Sequence, residues 1–427
     1  MSDHPRTVAD VNLFDPAIQE HWYPAYDVLR AQAPVYKVPG LNLYVLTRYE
    51  DIHRVVRRSD LYSNMGEKYG GEPLLVYPEA RAIFDERGWP RQFPLSTDPP
   101  IHKQYRALVD PFFQGKGLAR VRTFAEQTVH QLIDGFAGAG EVEFVSQFAV
   151  PLPVTLITWL IGFPLEDMPQ LKDWSYWWAL PFARGLTLEQ ELTVAEKGVA
   201  FQHYIKRHLD DRRAHPREDI LTALVQAELD DVDRGVKRPL TDQEIICIVD
   251  HLYIGGNETT TFSLTSGLWL MLREPAIYQR LLADRSSETM RTFIEEVLRL
   301  ESPTQGLYRT AIVDSEIAGV TIPKGATLHL RFAAANRDPA EFPDPERLDL
   351  DRPNAARHMA FSQAEHHCPG APLSRLEMAI AFPILLERLQ DLRFTPGAND
   401  FTHLPGFVLR ALKELRVSFS PAGRAAG

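Results

Sequence analysis

Phe361-Ser362-Gln363-Ala364-Glu365-His366-His367-Cys368-Pro369-Gly370 carries one of only two cysteines in a chain of 427 residues. A run of helical character, Ala371 to Leu389, begins directly behind it. A thiolate at a helix N-terminus lies at the positive end of the macrodipole, which lowers its pKa and suits it to be a metal ligand or a nucleophile. A zinc site built from Glu365, His366, His367 and Cys368 is poorly served, because adjacent residues cannot all converge on one ion. No second ligand pair at zinc-like spacing follows. A cysteine nucleophile would need a base, which His366 or His367 could supply. Ten residues leave these readings open, and the rest of the chain has to choose.

The composition narrows the field. A net charge of −11 argues against nucleic acid as a partner. Two cysteines exclude a disulfide framework and fit a reducing, cytoplasmic setting. Residues 1–20 contain no long apolar run, so neither a signal peptide nor a membrane anchor is expected there. With 44% apolar residues and no Gly/Ser-rich linker, the chain reads as one large domain over residues 1–427.

Residues 16–33 read as a helix. Val35–Val38 and Leu43–Thr47 follow as two strands with Gly40 and Asn42 in a hairpin turn, and Tyr49–Arg58 as an amphipathic helix. From Ser59 to Pro100, prolines and glycines are spaced so that no long helix fits. Tyr69, Leu74, Leu75, Trp89 and Phe93 are candidate pocket residues there. Asp98 is placed to cap a helix in which His102 and Arg106 share one face, as a carboxylate grip or a solvated surface. Helical pattern dominates from Arg120 to Glu228, with an aromatic cluster at Trp174, Trp177 and Trp178; Asp230–Arg238 reads as a charged loop. Thr241-Asp242-Gln243-Glu244 is a capping box opening a helix to about Arg273, apolar nearly all round and hence central. Gly255-Gly256-Asn257-Glu258-Thr259-Thr260 interrupts it. Two glycines there cost roughly 1 kcal/mol each, and a buried acid needs a partner. Either the glycines allow tight packing with Glu258 ion-paired, or they admit a flat ligand while Glu258 and Thr259 handle protons.

Phe-x-x-Ala-x-His-x-Cys-x-Gly resembles the haem-binding loop of the cytochrome P-450 family, with Ala364 where that family usually has glycine. Gly255–Thr260 resembles the family's oxygen-binding segment, and Glu296 with Arg299 its Glu-x-x-Arg signature. Pro345-Glu346-Arg347-Leu348 resembles the segment whose arginine completes that buried triad, with Leu348 replacing an aromatic residue. Ala335–Pro339 and the strand arginine Arg309 also match, in the family's order.

The resemblance implies a mainly α cytochrome P-450 fold, a large helical domain with a small β-rich region. It further implies a haem-thiolate monooxygenase that uses O2 to hydroxylate or epoxidise a small hydrophobic molecule. Cys368 would be the axial ligand of haem b. His102, Arg106, Arg309 and His366 would bind propionates, and Gly255, Gly256 and Phe361 would lie against the haem. Thr259 and Glu258 would stabilise dioxygen and relay protons. His251, Gly255 and Thr259, at i, i+4 and i+8, would face the distal side. Trp89, Trp178, His251, Leu252, Ile254, Gln305, Leu307, Phe407 and Val408 are the implied substrate pocket, largely apolar and without an obvious carboxylate clamp. Electrons would come from NAD(P)H through a reductase and a ferredoxin, which would meet this chain, a monomer, at a local basic patch. Lys116, Arg120, Arg122, Arg352, Arg357 and Arg375 are its candidates. An H2O2-driven peroxygenase and a non-catalytic haem sensor are the rival functions; the Glu258-Thr259 pair argues against the first.

Overall fold

Thr241 opens the longest helix, Asp242–Arg273, with the reciprocal cap its sequence predicts: its hydroxyl accepts from the Glu244 amide, and the Glu244 carboxylate accepts from the Thr241 amide at 2.8 Å. Tyr105 (2.6 Å) and Arg238 (2.8 Å) donate to the same carboxylate. These partners hold Glu244 down to about 2 although burial opposes them. Apolar residues on every side bury this helix along most of its length. It packs against Pro151–Ile161 and Leu188–Ala214, and also touches Ser287–Leu300 and Ala371–Arg388.

The computed structural model describes residues 4–69, 73–183, 185–231 and 235–421. Among them are fifteen α-helices and twelve short strands, so the fold is mainly α with a small β region, as expected. Five strands make the largest sheet, in the spatial order Val35–Lys37, Leu43–Leu46, Thr327–Leu330, Leu307–Ala311, Tyr62–Ser63. The hairpin predicted at Gly40 is present, and Gly40 takes φ 76°, a left-handed value that glycine adopts without strain. No helix among the described residues is long and apolar enough to cross a membrane.

Several expectations are corrected. Residues 16–33 form two helices, Pro16–Glu20 and Trp22–Gln32, separated at His21. The region expected to lack a long helix contains Pro78–Arg87, because its proline stands at the first turn and Gly88 ends it, leaving the interior free of both. Asp98 does not cap. Its carboxylate accepts from Ser63 Oγ and from the Asn64 amide, and the helix begins at Ile101. The segment read as a loop pairs Glu228–Asp231 with Val236–Pro239.

The buried ion-pair triad also differs. Arg299 and Glu296 are fully buried and bonded in a fork, at 2.6 and 2.9 Å. The second arginine is Arg352, whose Nε lies 3.1 Å from Glu296, rather than Arg347. Arg347 is exposed and contributes only its carbonyl, which accepts from Arg299 and Arg352. Arg352 is thereby removed from the surface patch to which the sequence assigned it, being 6% exposed. Removing one partner from so buried a set leaves an uncompensated charge, typically ~3–5 kcal/mol.

Candidate active site

Cys368 is held at the end of a loop stitched by its own backbone. The Cys368 amide donates to Phe361 O at 2.9 Å and the His367 amide to Ala364 O at 3.1 Å. Ala364 takes φ 58°, where a side chain is strained and glycine is not, which explains glycine at this place in the resembling loop. Arg106 fastens the loop from outside, donating to His367 O at 2.9 Å while Asp110 accepts from its Nε at 2.7 Å. Arg375 stacks over Phe361, 4.6 Å from the ring centroid, and forks onto Glu295 at 2.6 and 2.9 Å. His358 approaches the same carboxylate at 2.9 Å, and Glu295 is held at about 2.

Burial pushes the Cys368 thiol up, overcoming the Gly370 and Ala371 amides and the Arg106 and Arg375 charges that pull it down. The helix terminus alone therefore does not make this a free thiolate. A bound metal would be what fixes the charge on sulfur. No cluster of three or more His, Cys, Asp and Glu gathers for a metal ion among the described residues, which removes the zinc reading.

Cys368 opens onto a cavity of about 340 Å³. Across it runs the central helix, contributing His251, Leu252, Gly255, Gly256, Thr259, Thr260 and Ser263 to the wall. The two glycines there have different reasons. A Cβ on Gly256 would lie 3.0 Å from Ile157 Cγ1, so this glycine serves helix packing; a Cβ on Gly255 would meet nothing within 4 Å, so this one leaves open space against the backbone. Thr259 Oγ1 donates to Gly255 O at 3.1 Å. Glu258 is ion-paired with Lys172, whose Nζ also lies 3.3 Å from Asn257 Oδ1.

On another wall stand Arg309 and His366, with the His102 ring packed against His366. The His102 and His366 rings are 4.2 Å apart between centroids, and the Nε2 of each is buried without a hydrogen-bond partner. Burial, then Arg309, His102 and Arg106, hold His366 at about 2. Arg309 is 4% exposed, and among the described residues its side chain donates to Tyr308 O, at 2.8 Å. Burial draws it down to about 10, with Asp98 the one acid opposing. Orphaned donors around one buried spot need an anion. A flat group bearing two carboxylates, ligated by sulfur from one face and admitted by Gly255 on the other, fits these residues.

His251, Leu252 and Leu307 of the predicted pocket line the cavity, with Leu95 beside them. The other expected pocket residues lie elsewhere. Phe407 and Val408 are buried in a separate core with Trp22 and Tyr26. Gln305 is fully buried, accepting from Tyr26 Oη at 2.8 Å and donating to Ser302 O at 2.8 Å. Ile254 is packed in the main core, Trp89 stands against His203, and Trp178 lies 6.2 Å from His251. Leu75 is in a further core, while Phe93 lines a neighbouring shallow pocket. Sequence reasoning missed Ser374 and Glu377 on the cavity wall. Glu377 is 1% exposed, neither oxygen has a hydrogen-bond partner among the described residues, and burial raises it well above the usual carboxylate range. An acid and a hydroxyl on an otherwise apolar helix face were the available signal.

Fold and site together fit a cysteine-ligated haem protein. Comparison with known proteins agrees. Residues 189–413 match the family model of cytochrome P450. The chain is 33% identical to cytochrome P450 107B1 of Saccharopolyspora erythraea, over 96% of this chain and 98% of that one. It is 32% identical to the mycinamicin IV hydroxylase/epoxidase of Micromonospora griseorubida, over 92% and 94%. The crystal structure of CYP109E1 from Bacillus megaterium in complex with corticosterone superposes with a TM-score of 0.79 at 27% identity, covering 94% of this chain and 99% of that one. The chain belongs to the cytochrome P450 family. It is a P450 monooxygenase, an oxidoreductase, and haem b is its cofactor.

Proposed function

We propose that this P450 uses O2 to hydroxylate or epoxidise a small hydrophobic molecule, with electrons passed from NAD(P)H through a reductase and a ferredoxin. The observation that carries this reading is the Glu258–Thr259 pair on the central helix, with Thr259 on the cavity wall that also includes Cys368. Bound haem supplies dioxygen activation, and thiolate ligation favours O–O cleavage. The protein's own contribution is ligation, anchoring and proton handling. Cys368 ligates. His102, Arg309 and His366 take the propionates, and Arg106 works chiefly by fixing the loop. Thr259 presents a hydroxyl at the distal wall, released from Gly255 O when needed, and Glu258 moves protons to it from the Lys172 side. Leu95, Leu252 and Leu307 exclude water from the apolar part of the cavity.

A ferredoxin would approach the side of Cys368 away from this cavity. Of the basic residues considered, Arg120 is paired with Glu218, Arg122 with Glu126, Arg357 with Glu341 and Arg375 with Glu295. Lys116 is exposed, so exchange of the surface pairs would carry the docking charge. We further propose that the protein works in the cytoplasm as a single-domain monomer.

The test is spectroscopic and then catalytic. Reduced protein with CO should absorb near ~450 nm, Cys368→Ser should abolish that band, and Cys247→Ala should keep it. Cys247 is fully buried, and burial pushes its thiol up to about 12. Turnover with NADH, reductase and ferredoxin but not with H2O2 alone is the expected outcome. Turnover with H2O2 alone makes it a peroxygenase, and turnover with neither makes it a sensor.

A further inference from the structure

The chain following Pro78–Arg87 is fastened before it enters the interior. Gln202 Nε2 donates to Trp89 O at 2.8 Å and accepts, through Oε1, from the Trp89 amide at 2.9 Å; Gln243 Nε2 donates to Pro90 O at 2.8 Å. Arg91 comes next. Its guanidinium carbon lies 4.5 Å from the Trp178 ring centroid, 5.7 Å from Phe93 and 5.8 Å from Phe84. All three guanidinium nitrogens are buried, and none has a hydrogen-bond partner among the described residues. Aromatic faces stabilise a cation but satisfy none of its five N–H groups. A buried, unmatched guanidinium is strongly destabilising unless something completes it.

The acid that acts on it most strongly does not. Asp250, on the central helix, is pushed up to about 7 by burial against the pull of Arg91, so it carries only part of a negative charge at neutral pH. His251, the next residue, lines the cavity. Its ring lies 6.2 Å from both Trp178 and Phe93, and its Nδ1 has no hydrogen-bond partner. Burial, seconded by Arg91, holds it at about 4, so it is a neutral donor. One unsatisfied planar cation and one neutral imidazole thus belong to a single aromatic cluster, and its His251 member lines the cavity.

We propose that Arg91 and His251 anchor a carboxylate of the substrate, making the substrate class an apolar molecule with one acid group. The guanidinium fork matches a carboxylate in shape and charge. A dianionic phosphate would exceed the single cation and face Asp250. The spacing also says where oxidation occurs. His251 precedes Thr259 by eight residues, ~12 Å along a helix, so the oxidised carbon is remote from the acid, on the order of 10 Å away. That the anchored acid is a substrate rests on the oxygenase reading above; the anchor itself does not.

Isothermal titration of the haem-loaded full chain with dodecanoate and 4-(4-butylphenyl)butanoate, each beside its primary amide, reads the anchor without turnover. The acids should bind at least ~10-fold more tightly than the amides, as a charge-assisted fork does. Arg91→Gln should bring the acids to the level of the amides without weakening the amides, and Arg91→Lys should restore part of the difference. Ligand-free Arg91→Gln should unfold at or above the wild-type temperature, since it removes an unmatched charge. Equal affinity for acid and amide in wild type, no binding of either acid, or a variant that weakens acid and amide alike overturns the anchor. A fall in unfolding temperature assigns Arg91 to the scaffold and overturns it too. Tight, Arg91-dependent acid binding with no oxygen incorporated would instead overturn the oxygenase reading and leave the anchor standing.

Discussion

Lys172 on the helix Met168–Ala179 holds Glu258 of the central helix in an ion pair, so the acid beside Thr259 is tied to a neighbouring element. The two side chains are 28% and 14% exposed, which places the pair between solvent and the interior. Ser175 and Asn257 tie the same two helices at 2.9 Å. In the proposed proton path Glu258 exchanges Lys172 for Thr259. Glu258→Gln should slow oxygen consumption by about 10²-fold, the lower end for a positioned acid–base group. Lys172→Met, which only frees the acid, should change the rate less than about fivefold, because a partly exposed pair is worth at most ~1 kcal/mol. Oxygen uptake with saturating ferredoxin measures both, and an undiminished rate in Glu258→Gln would take it out of the proton path.

Thr259 should control coupling rather than rate. Its hydroxyl is held by Gly255 O at 3.1 Å, available at the cavity wall but bearing no load in the fold. Thr259→Ala should bind substrate and take up electrons as before. Product formed per NADH should fall severalfold while H2O2 rises to match, and Thr259→Ser should recover most of the coupling. Unchanged product yield in the alanine variant would mean that the hydroxyl has no part in the chemistry.

The paired glycines should separate by stability. Alanine removes the cost of glycine in a helix interior, a gain of about 1 kcal/mol. At Gly255 nothing opposes this gain, since the added Cβ meets no atom within 4 Å. At Gly256 the Cβ would press on Ile157, which is fully buried, at 3.0 and 3.1 Å. Overpacking of that kind costs ~1–3 kcal/mol. Apoprotein denaturation should therefore show Gly255→Ala more stable and Gly256→Ala less stable than wild type. Haem retention should fall in Gly255→Ala, whose methyl occupies the open space.

What the sequence disclosed and what it hid follow one division. Local chemistry was readable: the capping box at Thr241, the i, i+3 fork of Glu296 and Arg299, and the shared face of His102 and Arg106 are each set within a turn or two of helix. Features decided by distant chain were not. The sequence reads Arg352 as a surface residue and Arg347 as the arginine that completes the triad, and the structure reverses the two. Which of two arginines in an irregular segment folds inward depends on Glu296, 56 residues away, as well as on the nearby carbonyls of Pro343, Asp344 and Arg347. Gln305 looked like a pocket residue, but its partner Tyr26 stands 279 residues away. The Lys172–Glu258 pair and the unmatched Arg91 likewise exist only through packing between elements remote in sequence.

Pro369 offers the sharpest test of how the loop tunes its ligand. Backbone N–H groups aimed at a ligating sulfur draw electron density from it and raise the reduction potential. Here the Gly370 and Ala371 amides act on Cys368, while Pro369, directly after the cysteine, has no N–H to offer. The alternative account of Pro369, that it starts the following helix, does not fit. That helix is Ala371–Arg388 with Gly370 at its N-cap; Pro372 is the proline of its first turn, and Pro369 lies outside. Its place next to the sulfur therefore leaves one donor absent from the set. Pro369→Leu supplies that donor and should raise the Fe(III)/Fe(II) potential on the order of 100 mV, the one-electron equivalent of one charge-assisted hydrogen bond. The ferrous–CO stretch should move upward with it. Redox titration and infrared spectroscopy of the CO complex read the two quantities independently. If neither moves, the added amide does not face the sulfur, and the two existing donors set the potential by themselves.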